Sequence, residues 1–382
     1  MAARALGVVC EYNPFHNGHA YHLRQAREQS GCDWVICAMS GSFTQRGALA
    51  LIGPRERARA ALMNGADIVF ELPALFAVRN AHAFAKGGVA LLDKLNVCDA
   101  ISFGCEDIDT LASAAASNEC DPDVLRTLRD GLDRGESWAR ARGLPNLPNV
   151  ILGVEYMRAI QERGSSMRPL PIPRAPERVS AADGVISARR IREMLSVGES
   201  VEPYMPRSAY DILMGSTSSH RREDGLDALL LGALRSMPAE SIGEAADISE
   251  GMERRIKACA AKAVSRADLI ERVKCKRYPY ARISRALTQA MLGITKSLAA
   301  RVPEPAFARL IGFRDAARPL LREIRRGADI SIIDRPAAYR KHDDPAFALD
   351  LRADAIASIA CASVDDRRGD HMLTDGIVIV GG

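Results

Sequence analysis

Four short apolar runs, separated by segments with helical spacing, constrain the fold of this chain more than any other feature. The runs lack polar alternation, which is typical of parallel strands buried on both faces. They are LGVVC (Leu6–Cys10), WVICAM (Trp34–Met39), ADIVFE (Ala66–Glu71) and DAISF (Asp99–Phe103). The helical segments between them cover residues 20–29, 54–64 and 80–95. This alternation predicts an α/β fold with a Rossmann-like, doubly wound parallel sheet, whose ligand site lies at the carboxyl ends of the strands.

The chain changes character after about residue 200, where the segments become predominantly helical. Before that point we expect a helix over residues 149–163, an extended proline-rich segment over 167–177 and a helix that begins near Ser187. Leu310 and the closing GIVIV mark only weak strand candidates. Because 382 residues exceed the usual size of one domain, we expect two domains, residues 1–200 and residues 201–382.

The charge is divided unevenly along the chain. Between Glu253 and Lys341 there are 22 Lys/Arg and 8 Asp/Glu residues, a net charge of +14. The remainder carries 30 basic and 40 acidic residues, a net charge of −10. Such a basic segment indicates a polyanionic partner, and the alternative is a set of solvated helix faces.

Composition narrows the class of protein. With 47% hydrophobic and 26% charged residues, the chain has the composition of a globular protein rather than a disordered or fibrous one. No apolar run reaches the length of a membrane span, and the N-terminus lacks the layout of a signal peptide. The nine cysteines include no C-x-x-C pair, which favours free thiols over disulfides or a zinc ribbon. We therefore expect a soluble, cytoplasmic protein with no membrane partner; the sequence leaves its oligomeric state open.

The motif H-x-G-H follows the first strand and begins a helix. His16, Gly18 and His19 form it. Backbone N–H groups at a helix N-terminus bind phosphates, and glycine allows a close approach. Two imidazoles three residues apart can donate hydrogen bonds where charge develops as the α-phosphate is attacked and pyrophosphate leaves. This context predicts a nucleotide site. The alternatives are polar turn histidines, or a metal site with His22, against which no carboxylate at ligand spacing follows.

Several motifs together resemble one known family. They are VCEYNPFHNGHAYH (9–22), MSGSFTQRG (39–47), NGADIVFELP (64–73), FGCE (103–106), PNVILGVEY (148–156), ISARRIR (186–192) and KRYPYARISRAL (276–287). In their order and residues they resemble the bacterial tRNA(Met) cytidine acetate ligase family over roughly residues 5–290. EYNPFHNGH, ELP and SGSF-x-QRG are the most specific.

The resemblance implies an enzyme with a nucleotidyltransferase-like domain of the H-x-G-H class. It implies that acetate is activated with ATP to acetyl adenylate and pyrophosphate, and that the acetyl group is transferred to N4 of the wobble cytidine, position 34, of elongator tRNA(Met). Residues 1–200 would bind ATP and acetate, and residues 201–382 would bind tRNA. Mg²⁺ is expected with the phosphates, much of its coordination shell coming from phosphate and water.

The resemblance also implies an ATP site, in which His16 and His19 would stabilise the α-phosphate transition state and the leaving pyrophosphate. Its residues would be Val9, Cys10, Glu11, Tyr12, Asn13, Pro14, Phe15, His16, Asn17, Gly18, His19, Ala20, Tyr21, His22, Gly104, Asn149, Arg174 and Arg192. Three of them have simpler interpretations: Asn149 as a helix cap, and Arg174 and Arg192 as surface arginines. Ser187, Ala188 and Arg189 depart from the family's Ser-Ala-Thr, so that a guanidinium could replace a hydroxyl contact to phosphate.

A basic cluster with tyrosines predicts the RNA contacts. Its residues are Lys276, Arg277, Tyr278, Arg282 and Arg285, together with Lys274 and Tyr280. Positive charge beside stacking faces suits RNA with unstacked bases; the alternative is an amphipathic basic helix. Pro279 and Ile283 stand where the family commonly has threonine or another arginine, which leaves the detailed RNA contacts open.

Other loops at the same sheet edge carry weaker signals. Gln45 and Arg46 follow the second strand and could contact phosphate or tRNA, or form a polar loop. We expect Asp67 and Glu71 to form local hydrogen bonds rather than act as general bases. Two other functions stay open from the sequence: a small-molecule adenylyltransferase of the H-x-G-H class, and a non-catalytic tRNA-binding protein.

Overall fold

One mixed sheet organises the part of the chain that the computed structural model describes, which comprises residues 4–116, 126, 130, 147–177, 184–249 and 251–381. Its strands are β1 (Ala5–Cys10), β2 (Trp34–Ser40), β3 (Ile68–Leu72), β4 (Cys98–Cys105), β5 (Arg168–Pro173), β6 (Phe307–Arg314), β7 (Ser331–Ile333) and β8 (Val378–Val380). The order is β5-β4-β1-β2-β3-β6-β7, and β8 pairs with β6. Every pair is parallel except β3 with β6. The predicted doubly wound, mostly parallel sheet is therefore confirmed.

The helices of the described residues cover both faces of this sheet and form a separate helical layer. In the first half they are α1 (Asn17–Ser30), α2 (Pro54–Met63), α3 (Ala74–Ala77), α4 (Ala81–Asp93), α5 (Ile108–Ala116), α6 (Pro148–Arg163) and α7 (Ala188–Ser196). In the second half they are α8 (Arg207–Gly215), α9 (Asp227–Ser236), α10 (Ala239–Gly243), α11 (Met252–Ala260), α12 (Arg266–Val273), α13 (Tyr280–Leu292), α14 (Lys296–Arg301), α15 (Arg318–Gly327), α16 (Pro336–Tyr339), α17 (Pro345–Ser358) and α18 (His371–Thr374).

The strand order places the ligand crevice. β1 pairs in parallel with β2 on one side and with β4 on the other. The order in which successive strands are added to the sheet therefore reverses between β1 and β4. In open α/β sheets the crevice outside the carboxyl ends of the strands at this switch point binds the ligand. The loop after β1 and the end of β4 therefore define the site.

Alternation along β1 sends its side chains into two different cores. Ala5 and Val9 face the core beneath α4, whereas Leu6 and Val8 face the core beneath α1. This alternation decides which side of the crevice each residue after β1 can reach. A third core lies within the helical layer formed by α9, α11, α12 and α13.

The C-terminal part returns to the sheet that the N-terminal part begins. β6 adds to β3 in antiparallel register, and β7 and β8 add to β6. Residues 201–382 are therefore mainly helical, as predicted, but they also supply three strands, of which β6 is buried and β7 and β8 are partly exposed. The sequence indicated weak candidates only at β6 and β8. The sheet therefore runs across the predicted boundary at residue 200. The assignment of separate roles to residues 1–200 and 201–382 stays a prediction.

Two of the expectations from composition can be compared with the described residues. Within those ranges, no helix has the length and apolar character that crossing a bilayer requires. The eight cysteines found there are free thiols.

Candidate active site

Two stacked histidines form the N-terminus of α1. His16 is the N-cap, and its Nδ1 accepts a hydrogen bond from the backbone N–H of Gly18 at 3.0 Å. The Nδ1 of His19 accepts from the backbone N–H of His16 at 3.3 Å, and the ring centroids lie 3.7 Å apart. Because each Nδ1 is an acceptor, the proton of each neutral ring lies on Nε2. The capping box therefore fixes two Nε2–H donors side by side.

Burial keeps these rings neutral. It lowers the pKa of His16 to about 3, and the charge of Arg174 acts in the same direction. Burial, His16, His22 and Arg174 together hold the pKa of His19 well below its usual range. Burial also lowers the pKa of His22 to about 4, and this ring lies 3.0 Å from the Ser102 hydroxyl. An entering polyphosphate would favour the charged form of the rings and would be bound the more strongly for it.

Gly18 is required by the geometry of the pair. A Cβ built at Gly18 would lie 2.9 Å from Cε1 of His16. Any side chain there would displace the His16 ring from its stack on His19. Glycine at this position therefore serves the histidines as well as the close approach of a ligand.

Aromatic side chains support the histidines from below. Tyr12 packs edge-on against His19, with centroids 4.9 Å apart, and Phe15 lies 5.5 Å from the same ring. Phe15 is fully buried. The loop after β1 is thus anchored in the core beneath α1, which limits rotation of His19.

Arg57, which sequence reasoning did not single out, joins the loops after β1 and β2. Its guanidinium is fully buried and donates to the carbonyls of Glu11 (2.7 Å), Ser40 (3.0 Å) and Gly41. Burial lowers its pKa to about 10. The available signal was an arginine on the apolar face of a helix, where a buried charge requires partners.

A cleft with a volume of about 380 Å³ opens at the switch point. Most of the predicted ATP residues line it: Val9, Cys10, Glu11, Tyr12, Asn13, His16, Gly18, His19, Tyr21, His22, Gly104, Asn149, Arg174 and Arg192. The structure thus brings together residues from the beginning and the end of the segment 1–200.

Four residues of the predicted ATP segment do not line this cleft. Pro14 and Phe15 are buried in the loop, and Ala20 packs against the core beneath α1. The Asn17 amide donates to the carbonyls of Gly184 and Pro203, at 2.9 and 3.0 Å. Asn17 and Ala20 lie on α1 and are turned away from the crevice, whereas Pro14 and Phe15 lie in the loop before this helix. The assignment of these four residues to the ATP site stays a prediction.

Asn149, Arg174 and Glu106 meet at the rim of the cleft. The Asn149 amide donates to the Glu106 carboxylate at 2.6 Å, which also accepts from the backbone of Val150 at 3.1 Å. Arg174 lies 3.5 Å from the same carboxylate. Glu106 therefore caps α6 and orients both predicted residues. A Cβ on Gly104 would meet only Cγ of Arg174, at 3.5 Å, so protein packing alone does not demand glycine there.

The three arginines of ISARRIR separate into two groups. Arg192 faces the cleft, and its guanidinium donates to the Asn13 carbonyl at 2.5 Å. Arg189 and Arg190 are exposed and form ion pairs with Glu193. The hypothesis that Arg189 replaces a hydroxyl contact to phosphate finds no support, since its side chain points outside the cleft.

Helix α13 holds the loop after β2. The Ser284 hydroxyl donates to the Arg46 carbonyl at 2.6 Å, and Thr288 donates to the Gly47 carbonyl at 2.7 Å. Arg46 itself is exposed and lines the cleft, as does Gln45. The basic helical layer and the crevice are therefore joined through one short loop.

The predicted RNA-binding residues are not equally accessible. Lys276 and Arg277 are exposed, and Arg282 donates to Ser249 at 2.7 Å. Tyr278 is buried in the core of the helical layer, and Arg282 lies over its ring at 5.4 Å. The prediction that Tyr278 offers a stacking surface is therefore wrong, because its ring packs into this core.

Arg285 and Tyr280, which lie on the same helix, differ in exposure. Arg285 is largely buried and forms an ion pair with Asp247 at 3.3 Å. Tyr280, two residues after Tyr278, is 48% exposed. The two carboxylates at β3 have partners from distant parts of the chain rather than the local ones predicted: Asp67 accepts from the backbone N–H of Val35 at 2.8 Å, and Glu71 forms an ion pair with Arg309.

Strand order, crevice and paired Nε2–H donors together define a nucleotidyltransferase-like protein of the H-x-G-H class. The family model described as HIGH Nucleotidyl Transferase matches residues 3–371. The chain belongs to the tRNA(Met) cytidine acetate ligase family. A relative of that name from Acetivibrio thermocellus is 33% identical, covering 93% of this chain and 94% of its own length. One from Caldanaerobacter subterraneus is 34% identical, with 93% and 95% covered.

Solved structures agree with this assignment. The crystal structure of Thermotoga maritima TmcAL bound with alpha-thio ATP has a TM-score of 0.91 to this chain and 31% sequence identity. It covers 99% of this chain and 100% of its own. The apo form of the same protein gives a TM-score of 0.90 at 30% identity.

Proposed function

We propose that this chain forms acetyl adenylate from ATP and acetate and transfers the acetyl group to N4 of the wobble cytidine, position 34, of elongator tRNA(Met). The observation that carries the proposal is the pair of Nε2–H donors on His16 and His19 at the N-terminus of α1. Family membership and the likeness to a protein bound with an ATP analogue support it.

Acetate must be activated before this transfer, because a carboxylate is a poor electrophile and the cytosine amino group is a poor nucleophile. In the first step an acetate oxygen attacks the α-phosphate and pyrophosphate leaves. Negative charge then grows on oxygens close to the N-terminus of α1, where the helix dipole is positive and the two imidazoles can donate. Arg174 and Arg192 add positive charge to the lining of the cleft.

Mg²⁺ belongs to this proposal through ATP rather than through a protein site. Within the described residues, no group of three His, Cys, Asp or Glu side chains could hold a metal ion. The residues present therefore fit an ion held chiefly by phosphate oxygens and water. When bound, it would neutralise phosphate charge.

The tRNA would contact the exposed charges of the helical layer. The segment with the excess of positive charge includes Lys276, Arg277 and Arg282. Arg46 adds a positive charge at the cleft itself. Residues 1–200 would thus activate acetate, and residues 201–382 would bind the tRNA. We place the reaction in the cytoplasm, since the substrates are ATP and tRNA and the described cysteines are thiols.

Two assays test the proposal. Acetate-dependent exchange of pyrophosphate into ATP measures adenylation, and nucleoside mass analysis of tRNA incubated with ATP and acetate measures N4-acetylcytidine. Exchange that requires acetate, together with N4-acetylcytidine in the tRNA, is the expected result. Absence of exchange with pure protein and Mg²⁺ would refute the ligase, and tRNA binding without turnover would favour a non-catalytic role.

A further inference from the structure

Glu11 lies on the opposite side of the sheet edge from the histidines. It follows β1 and lines the cleft. Because Ala5 and Val9 face the core beneath α4, Glu11 continues that series, whereas α1 covers the other face. The cleft therefore has two sides at the end of β1.

The two sides of the cleft have separate apolar walls. Ile172, Val185 and Ile186 line it, and Ile172 and Ile186 belong to the core that also contains Leu23 of α1. On the α4 side the wall is formed by Phe84, Phe103, Leu152 and Tyr156. A nucleotide whose phosphates lie at α1 can use the first wall, which leaves the second wall for another substrate.

The α4 side carries a hydrogen-bond acceptor, the Glu11 carboxylate, and a hydrogen-bond donor, the Tyr156 hydroxyl, which are not bonded to each other. The Glu11 carboxylate accepts a hydrogen bond from the backbone N–H of Gln45 at 2.5 Å. The charges of Arg46, Arg57 and Arg192 act on it, but no ion pair of the described residues includes it. The Tyr156 hydroxyl is buried without a hydrogen-bond partner in the same part of the chain. An acidic group in a cleft for a polyphosphate is costly, and so is an unpaired buried hydroxyl.

Cytosine has the groups that this side lacks. Its N4 amino group donates to carboxylates, its N3 and O2 accept hydrogen bonds, and its flat face packs on aromatic side chains. Phe103 and Tyr156 are already tilted together with centroids 5.2 Å apart. An unstacked cytosine therefore fits the acceptor, the donor and the wall at once.

We propose that this side of the cleft binds the target cytosine and that Glu11 receives the N4 proton during acetyl transfer. The inference rests on the proposed function. The N4 nitrogen attacks the acetyl carbon, and a C–N bond forms. The bond between that carbon and the phosphate oxygen breaks, AMP leaves with the electron pair, and the N4 proton passes to the Glu11 carboxylate and then to water. The Tyr156 hydroxyl orients the base through N3 or O2.

Glu11→Gln tests this assignment, because the glutamine oxygen still accepts from Gln45 but takes no proton. The full-length variant is assayed in two ways: by acetate-dependent pyrophosphate exchange with trapping of acetyl adenylate by hydroxylamine, and by single-turnover acetylation of tRNA. We expect tRNA acetylation by Glu11→Gln to fall about 100-fold or more relative to the variant's own rate of exchange and hydroxamate formation. Tyr156→Phe should reduce acetylation in the same selective way. Glu177→Gln, a matched change at an exposed residue on the rim of the same cleft, should change neither.

Each other outcome overturns the inference. If Glu11→Gln acetylates tRNA normally, Glu11 is not the proton acceptor. If exchange falls as much as acetylation, Glu11 serves adenylation. A raised KM for ATP would then show that Glu11 binds adenine, and restoration of exchange by additional Mg²⁺ would show that it binds a metal ion. Failure of the proposed function itself is distinguishable, since the wild-type protein would then lack exchange or tRNA acetylation.

Discussion

The Ser284 hydroxyl donates to the backbone carbonyl of Arg46 at 2.6 Å, and this bond joins the basic helical layer to the rim of the cleft. The next residue, Gly47, has a positive φ of 73°, and a Cβ there would lie 2.7 Å from Cα of Arg285. Helix α13 therefore packs directly against the backbone of Gly47. This contact gives the two parts of the molecule a common boundary at the loop after β2.

Gly47→Ala should separate the helical layer from the cleft. The left-handed conformation costs a side chain about 1 kcal/mol, and the clash with α13 adds displacement of the loop. We expect a lower melting temperature and losses in both pyrophosphate exchange and tRNA acetylation. The matched control is Gly31→Ala, which has a φ of 67° but nothing within 4 Å of its Cβ. Equal effects of the two substitutions on activity would contradict a role for the contact.

Replacing either histidine of the capping box should reduce adenylation without releasing the tRNA. Removal of one preorganised donor to a developing negative charge costs roughly 10²–10³ in rate. His19→Ala is therefore expected to lower acetate-dependent exchange by that order, while the Kd for tRNA in filter binding stays near that of the wild type. A comparable loss of tRNA affinity would show that His19 supports the fold rather than the reaction.

The protonation of the histidines gives a prediction in pH. Since burial lowers the pKa of His16 to about 3 and that of His22 to about 4, both rings should stay neutral at pH 6, and ¹⁵N chemical shifts should place the His16 proton on Nε2. The unfolded chain, with histidine pKa values near 6.5, binds more protons than the folded chain below that pH. The free energy of unfolding should therefore fall as the pH drops from about 6.5 toward 4.

The double variant His16→Gln, His22→Gln is the control for this pH dependence. It should show a shallower fall of the melting temperature between pH 7 and pH 5 than the wild type, because two buried titrating groups are gone. An unchanged slope would assign the loss of stability to carboxylates instead.

The exposed cations of the helical layer should account for the salt dependence of tRNA binding. Lys276→Ala together with Arg277→Ala should weaken binding and reduce the slope of log Kd against log salt by about one per lost phosphate contact. Pyrophosphate exchange should be unaffected. Arg285→Ala is the contrasting variant: its guanidinium is buried against Asp247, so we expect loss of stability at every salt concentration. A slope unchanged by the double substitution would refute the proposed surface.

The sequence predicted the crevice well because its signals are local. Each apolar run became a strand, and His16 and His19 lie where a loop after a buried strand must place them. The role of Gly18 is local too, since its neighbour is the His16 ring. Such features depend on a few consecutive residues, which a single sequence contains in full.

What the sequence could not predict depends on distant partners. Arg57 donates to carbonyls after two different strands, and its neighbours in the sequence do not indicate those partners. β6 is an antiparallel addition some 240 residues after β3, and no local pattern indicates which edge it joins. Tyr278 and Tyr280 differ by two positions, and only the packing of the helical layer determines which of them is buried.

Tyr280, rather than Tyr278, should stack on RNA. Its ring is 48% exposed at the start of α13, and its hydroxyl interacts with Arg266 of the helical layer. Stacking of one base on an aromatic ring contributes roughly 1–3 kcal/mol, so Tyr280→Ala should weaken tRNA binding by about 5-fold or more with no change in melting temperature. Tyr280→Phe should restore affinity, because it keeps the ring. Tyr278→Ala removes a core side chain and should lower the melting temperature instead. If Tyr280→Ala binds tRNA as the wild type does, the RNA does not stack at this end of α13.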